Sequence, residues 1–276
     1  MRAKRFTQVD VFSSEPFGGN PVAVVHDAED MSDDAMAALA RWTNLSETCF
    51  LLSPRDPQAD YRVRIFSSLR ELPFAGHPTL GTCHAWLAAG GSPRGREVVQ
   101  ECGVGLVRIR SDGDRLAFEA PPLLRSGPVE EALVARIAAA CGLARAEVRD
   151  ARWVDNGAGW LALMLTDRER LLALAPDLAG LHGVPFGLVA PWPGGEAAFE
   201  VRAFIGGDAV PEDPATGSFN AGLARWLVEE RKAPASFVIA QGTAIGRAGR
   251  IHVDREGVQV WIGGTCVTRV EGRLHP

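Results

Sequence analysis

No two cysteines stand in a CxxC pair, no apolar run is long, and positive charge is not in excess. Cys49, Cys83, Cys102, Cys141 and Cys266 are odd in number and scattered. That argues against a disulfide framework or a zinc ribbon, and points to a reducing compartment, the cytoplasm. The formal net charge of −5 disfavours a broad nucleic-acid or anionic-membrane surface. Apolar runs break within about a dozen residues, short of the ~20 needed to span a bilayer. The basic start, MRAKRFTQVDVF, has no apolar core behind it and is expected to be a first strand rather than a signal segment.

Several chemistries lack their motifs. There is no GxxxxGK[ST] loop. Cys102–Val107 contains GxG without the third glycine and following helix of a dinucleotide fold. His77 and His84 stand seven apart with no HExxH, so no metal is expected. Thr216–Ser218 lacks the GxSxG elbow of a serine hydrolase.

What is present suits a globular protein. The 276 residues, 46% hydrophobic and 23% charged, can bury a core without staples and make one large domain or two ordinary ones. Strands are expected at 6–12, 22–26, 49–52, 61–66, 97–100, 105–110 and 115–120. Ser32 is a helix cap for 33–42, and 79–89 is a helix ended by Gly90 and Gly91. ProProLeuLeu at 121–124 breaks the pattern, so the domains are read as 1–120 and 121–276, with the last strand free to pack on the first domain. The second half is expected to hold a helix from Pro128 to Gly142 capped by Ser126 or Gly127, a helix at 218–231, and strands at 159–166, 199–204, 236–240, 250–253 and 257–262. Arg41, Trp42, Trp86 and Trp226 read as helix packing residues.

An offset of 140 residues aligns AGHPTLGTCHAWL (75–87) with ATGSFNAGLARWL (215–227). Each is a glycine-containing turn feeding a helix. A helix apolar on every side, like 79–89, must be enclosed. The expected fold class is therefore α+β: two similar halves, each a β-barrel-like shell around a central α-helix.

Three polar clusters punctuate this pattern. Glu47 sits between Leu45 and Cys49 where a loop meets a strand; alone it would be an exposed turn residue. In Phe74–Pro78, Gly76 allows close backbone approach and Pro78 suits a first helical turn. The free N–H groups of such a turn attract a carboxylate, and His77 can donate to it or carry a proton near neutral pH. The bland alternative for His77 is a capping residue. Pro211–Ser218 repeats the device, with Asp213 and Ser218 as acid/base and binding candidates or as ordinary N-caps. Together, two helix mouths facing across a cleft would clamp a small acid, with Glu47, His77 and Asp213 handling protons.

At these residues the sequence resembles the phenazine-biosynthesis PhzF-like isomerases, of the diaminopimelate-epimerase-like fold. GlyGlyAsnProValAlaValVal (18–25), AsnLeuSerGluThr (44–48), GluLeuProPheAlaGlyHisPro (71–78), GluAspProAlaThrGlySer (212–218) and GlnGlyThrAlaIleGlyArg (241–247) carry the resemblance, in order. It implies a homodimer, no cofactor, and isomerisation of a small carboxylic acid such as trans-2,3-dihydro-3-hydroxyanthranilate. It makes Glu47 the catalytic acid/base and His77 and Asp213 its polar partners. It assigns Gly76, Gly217 and Ser218 to the turns that hold the substrate carboxylate. Asn20 touches substrate or shapes its loop.

Racemases of this fold use two facing thiols, and neither turn has a cysteine here, which favours a single carboxylate. The alternatives are an epimerase or racemase of a small amino or hydroxy acid, and a non-catalytic small-acid binder. Phe66–Arg70, Gly157–Trp160 and Phe204–Asp208 depart from the family's usual residues and are expected to line the site.

Overall fold

The structure is a computed structural model that describes residues 2–206 and 212–276. The chain divides into two compact units, Met1–Glu119 with Gly263–Pro276, and Ala120–Ile262.

The first unit contains β1 (Lys4–Val11), β2 (Asn20–Val25), α1 (Asp33–Thr43), β3 (Thr48–Leu52), β4 (Tyr61–Phe66), β5 (Glu71–Leu72), α2 (Gly76–Ala88), β6 (Val98–Cys102), β7 (Gly105–Asp112) and β8 (Arg115–Glu119). β1 and β2 are antiparallel, β2 and β3 parallel, β3 and β4 antiparallel, β4 and β6 parallel, and β6, β7 and β8 antiparallel. β8 and β1 both pair with the C-terminal strand, which closes the sheet into a barrel. Parallel neighbours require a crossover connection. The one joining β4 to β6 is α2, which packs against β1, β2, β3, β6 and β8. Its residues Gly76 to Cys83 and Ala85 are buried, and neither end carries a formal charge. The enclosed helix expected from the sequence is this one.

The second unit repeats the plan with β9 (Arg125–Pro128), α3 (Glu131–Ala140), β10 (Asp150–Asp155), β11 (Leu161–Met164), α4 (Arg168–Leu172), β12 (Pro185–Pro191), β13 (Phe199–Ile205), β14 (Glu212–Asp213), α5 (Gly217–Glu229), β15 (Ser236–Gln241) and β16 (Gly249–Glu256). β17 (Gln259–Leu274) starts here, and from Gly263 its residues belong to the first unit. Orientations from β10 to β16 run antiparallel, parallel, antiparallel, parallel, antiparallel, the same order as from β1 to β7. The crossover between parallel β13 and β15 contains α5, the counterpart of α2.

Several details differ from the sequence reading, β10 and α4 among the elements it did not name. The helix expected from Pro128 starts at Glu131, because Arg125–Pro128 adds to the sheet opposite Arg152–Asp155. Gly127, at φ +96°, takes no cap role. β12 was not expected, since its prolines at both ends disguise a buried strand. Trp42 is 79% exposed, on the outer side of α1, whose buried residues are Met36 and Ala40.

The internal repeat runs at 141 residues rather than 140. That offset pairs the helix starts Gly76 and Gly217, the mid-helix glycines Gly81 and Gly222, and the buried glutamines Gln100 and Gln241. The glycines mark where each helix lies closest to a strand. A Cβ on Gly81 would come 2.3 Å from Val22 Cγ1, and one on Gly222 would come 2.0 Å from the Val154 carbonyl oxygen. Glycine to alanine inside a helix ordinarily gains about 1 kcal/mol. At Gly222 the sign should reverse, because a backbone oxygen cannot yield as a side chain can. Gly222→Ala is expected to cost about 1–3 kcal/mol, and a thermal melt would show a lower midpoint, whereas an unchanged or raised midpoint would contradict the close contact.

Candidate active site

In the first unit, each polar candidate is placed by a specific local device. Ser32 caps α1 by accepting from the Ala35 N–H. Asn44 ends the helix in the left-handed conformation, φ 54°. The chain then turns through Leu45–Glu47 into β3, and the turn is fastened by a 2.8 Å hydrogen bond between the Thr43 and Thr48 hydroxyls. Glu47 is thereby held with its side chain 15% exposed, its Oε2 3.3 Å from Nε2 of His77. His77 is the second residue of α2 and its side chain is 4% exposed.

Asn20, the first residue of β2, is fully buried. Its Nδ2 lies 3.4 Å from His77 Nδ1. The two ring nitrogens thus face different partners, Nδ1 the Asn20 amide and Nε2 the Glu47 carboxylate. Burial pushes the His77 pKa down to about 3, and the Pro21 carbonyl beside the ring opposes this only in part. Burial therefore favours the neutral ring near pH 7, which suits the first of the two roles expected of it, donation, over the second, carrying a proton.

No side chain caps α2, whose Ala75 N-cap has none to offer. Neither Asp213 nor Ser218 caps α5. The N-cap is Thr216, without a side-chain cap bond, and Ser218 is the second helical residue. Asp213 instead accepts a 2.6 Å hydrogen bond from the Thr216 hydroxyl.

Sequence reasoning quoted Gln241 in a motif but gave it no role. Its fully buried amide organises the whole α5 turn. Nε2 donates to the Asp213 carbonyl and the Thr216 hydroxyl, while Oε1 accepts from the Thr216 N–H and the Asn220 amide. The counterpart Gln100 donates to Thr79 in α2 and accepts from the Tyr61 hydroxyl.

A second repeated device went unread. Arg64 of β4 grips Glu71 of β5 through two 2.7 Å bonds, and Arg202 of β13 grips Glu212 of β14 at 2.9 and 2.6 Å. Both pairs use the planar fork of arginine on a carboxylate. Each pins the two-residue strand that leads into a central helix. The offset of 141 pairs Gln100 with Gln241 and Glu71 with Glu212, but sets Arg202 on Tyr61 rather than Arg64, so the repeat signals the glutamines and the carboxylates and not the arginines.

The polar stretches thus gather at two equivalent helix mouths, one in each unit. The family model described as "Phenazine biosynthesis-like protein" matches residues 9–272. The chain belongs to this family, the PhzF-type isomerases. It is 34% identical over 283 residues to a trans-2,3-dihydro-3-hydroxyanthranilate isomerase of Pseudomonas aeruginosa, covering 98% of this chain and 99% of that one. It is 34% identical over 294 residues to "Antisense-enhancing sequence 1" of Schizosaccharomyces pombe, covering 99% of each. A crystal structure of a PhzF-family protein from Enterococcus faecalis superposes with a TM-score of 0.82 at 23% identity, covering all of both chains. The shared α+β, epimerase-like fold is the one the sequence led us to expect.

Two thiols buried in and beside α2 are badly placed to ionise. Burial pushes Cys49 and Cys83 up to about 12, so no thiolate forms near neutral pH. Among the described residues, no group of three or more His, Cys, Asp or Glu side chains gathers as metal ligands would. Of the three atypical stretches, Ser67–Arg70 is a tight turn closed by the Ser67 N–H on the Arg70 carbonyl. Gly157–Trp160 reaches Ser218. Pro211, Gly207 and Asp208 lie outside the described residues.

The neutral state of His77 has a sign that can be checked. An unfolded histidine binds its proton near pH 6.5, the folded one only near pH 3. Between these values the unfolded chain holds the extra proton, so stability falls as pH falls. One such group contributes a slope of about 1.4 kcal/mol per pH unit. Denaturant titrations at several pH values below 6.5 should show a shallower loss of stability in His77→Gln than in the wild type; equal slopes would mean that His77 is protonated in the fold.

Proposed function

We propose that this chain is a cofactor-independent isomerase that moves a proton on a small carboxylic acid of the trans-2,3-dihydro-3-hydroxyanthranilate type. The observation that carries this reading is the carboxylate of Glu47, mostly buried and set 3.3 Å from a neutral imidazole at a helix mouth with no side-chain cap. The activity named for the Pseudomonas aeruginosa relative supports it.

Glu47 acts as the general base. It takes a proton from a carbon made acidic by conjugation, and the C–H electron pair moves into the conjugated system. The resulting carboxylic acid then returns the proton to a different carbon of that system, which restores Glu47 and leaves the substrate isomerised. His77, kept neutral by burial, stands beside Glu47 and the substrate and never needs to ionise. Asp213 fixes the substrate's amino or hydroxyl group. Gly76, Gly217 and Ser218 offer N–H and O–H donors to its carboxylate.

A single base returns the proton to the face from which it came. Epimerisation at one carbon needs a second group on the opposite face, and neither helix turn offers a cysteine for that role. Isomerisation is therefore the favoured outcome.

The test is incubation with trans-2,3-dihydro-3-hydroxyanthranilate in D₂O, followed by NMR. The wild type should place deuterium on the newly protonated carbon. Glu47→Gln keeps the shape and loses the base, so turnover should fall about 10²–10⁴-fold with binding changed little. A Glu47→Gln variant that turns over like the wild type would rule out this mechanism.

A further inference from the structure

Ser218 is the second residue of α5, as His77 is of α2. Each is met by a side chain from the start of an equivalent strand. Asn20, the first residue of β2, reaches His77. Trp160, immediately before the first residue of β11, donates its indole Nε1–H to Ser218 Oγ at 2.9 Å. The offset of 141 places Asn20 on Leu161, so the two contacts come from adjacent positions of one repeated plan.

The loop that presents Trp160 is rigid by construction. Asp155 Oδ1 accepts the N–H groups of Gly157 and Gly159, each at 2.7 Å. Both glycines have positive φ, +121° and +82°, which other residues would adopt only with strain. Trp160 is 2% exposed, and its ring packs edge-on to Phe219 with centroids 5.4 Å apart. The same loop also holds the Ser218 backbone, since Asn156 Nδ2 donates to its carbonyl at 2.8 Å.

The chemistry of that contact is directional. An indole N–H only donates, whereas a serine hydroxyl has one hydrogen to give and two lone pairs to fill. With Trp160 occupying one lone pair, the hydroxyl hydrogen must point elsewhere. Among the described residues no acceptor takes it. A helical serine often spends that hydrogen on a carbonyl of the preceding turn; here it is kept available and made more acidic by the donated bond.

We propose that Trp160 is a positioning residue that commits Ser218 to donate its hydroxyl hydrogen to the substrate carboxylate, and so sets the site's preference for an anionic over a neutral acceptor. This rests on the assignment of Ser218 to the carboxylate made above. It also gives a use to the departure at Gly157–Trp160: this chain fastens the serine through an indole.

The test measures binding of 3-hydroxyanthranilate and of its carboxamide by calorimetry, in the wild type, Trp160→Phe, Ser218→Ala and the double variant. Phenylalanine keeps an aromatic ring against Phe219 and removes only the donor. Trp160→Phe should weaken the carboxylate about 3- to 10-fold and leave the carboxamide nearly unchanged. It should cost nothing further once Ser218 is alanine. In ¹H–¹⁵N spectra the indole resonance that vanishes in Trp160→Phe should move in Ser218→Ala and on addition of 3-hydroxyanthranilate. Equal weakening of both ligands, multiplied effects in the double variant, or wild-type affinity in Trp160→Phe would each overturn the positioning role while leaving the proposed function standing. A wild type that binds neither compound would overturn the assignment of Ser218 to a carboxylate, and this inference with it.

Discussion

The fold depends on hiding an α-helix inside a curved sheet while leaving its first turn able to work. α2 and α5 carry no acidic residue in the first turn and no basic residue in the last. Burial requires every backbone polar group to find a partner, and a helix start leaves its first N–H groups without one. The structure meets part of this demand with buried amides. Gln241 satisfies four partners around the α5 turn, and Gln100 ties the strand beside α2 to Thr79. The Arg64–Glu71 and Arg202–Glu212 clamps hold the short strands ahead of each helix.

Burial also decides which groups can carry charge. It keeps His77 neutral and the Cys49 and Cys83 thiols protonated. Glu47 is left beside a neutral imidazole, and the proposed mechanism uses it as the proton carrier. The loop ahead of Asn20 is tied down by Arg269, which donates to the Ser14 and Glu15 carbonyls and lies 3.7 Å from the buried Asp10.

Much of this was legible in the residues. The Ser32 cap, the Gly90–Gly91 stop and the period-two strands of the first unit read directly, because local propensity and tertiary structure agree there. Glu47 and His77 were joined on paper by motif and do lie together. The failures have physical causes. Arg125–Pro128 took a strand because β10 offered it a partner, which overrides the N-terminal preference of proline. β12 was masked by its flanking prolines. The repeat was set one residue off because Trp86 and Trp226 matched by letter, whereas the structure aligns the glycines where helix meets strand. Gln100, Gln241 and Trp160 could not be recognised as organisers, since their partners are distant in sequence and set by the fold alone.

The most direct test of this account is a crystal structure of Glu47→Gln with trans-2,3-dihydro-3-hydroxyanthranilate bound. The expected result is a ring carbon about 3–3.5 Å from the residue 47 side chain, a near-attack distance, and the substrate carboxylate on the hydroxyl of Ser218 and the first N–H groups of a central helix. A substrate seated elsewhere, or with every ring carbon out of reach of residue 47, would contradict it.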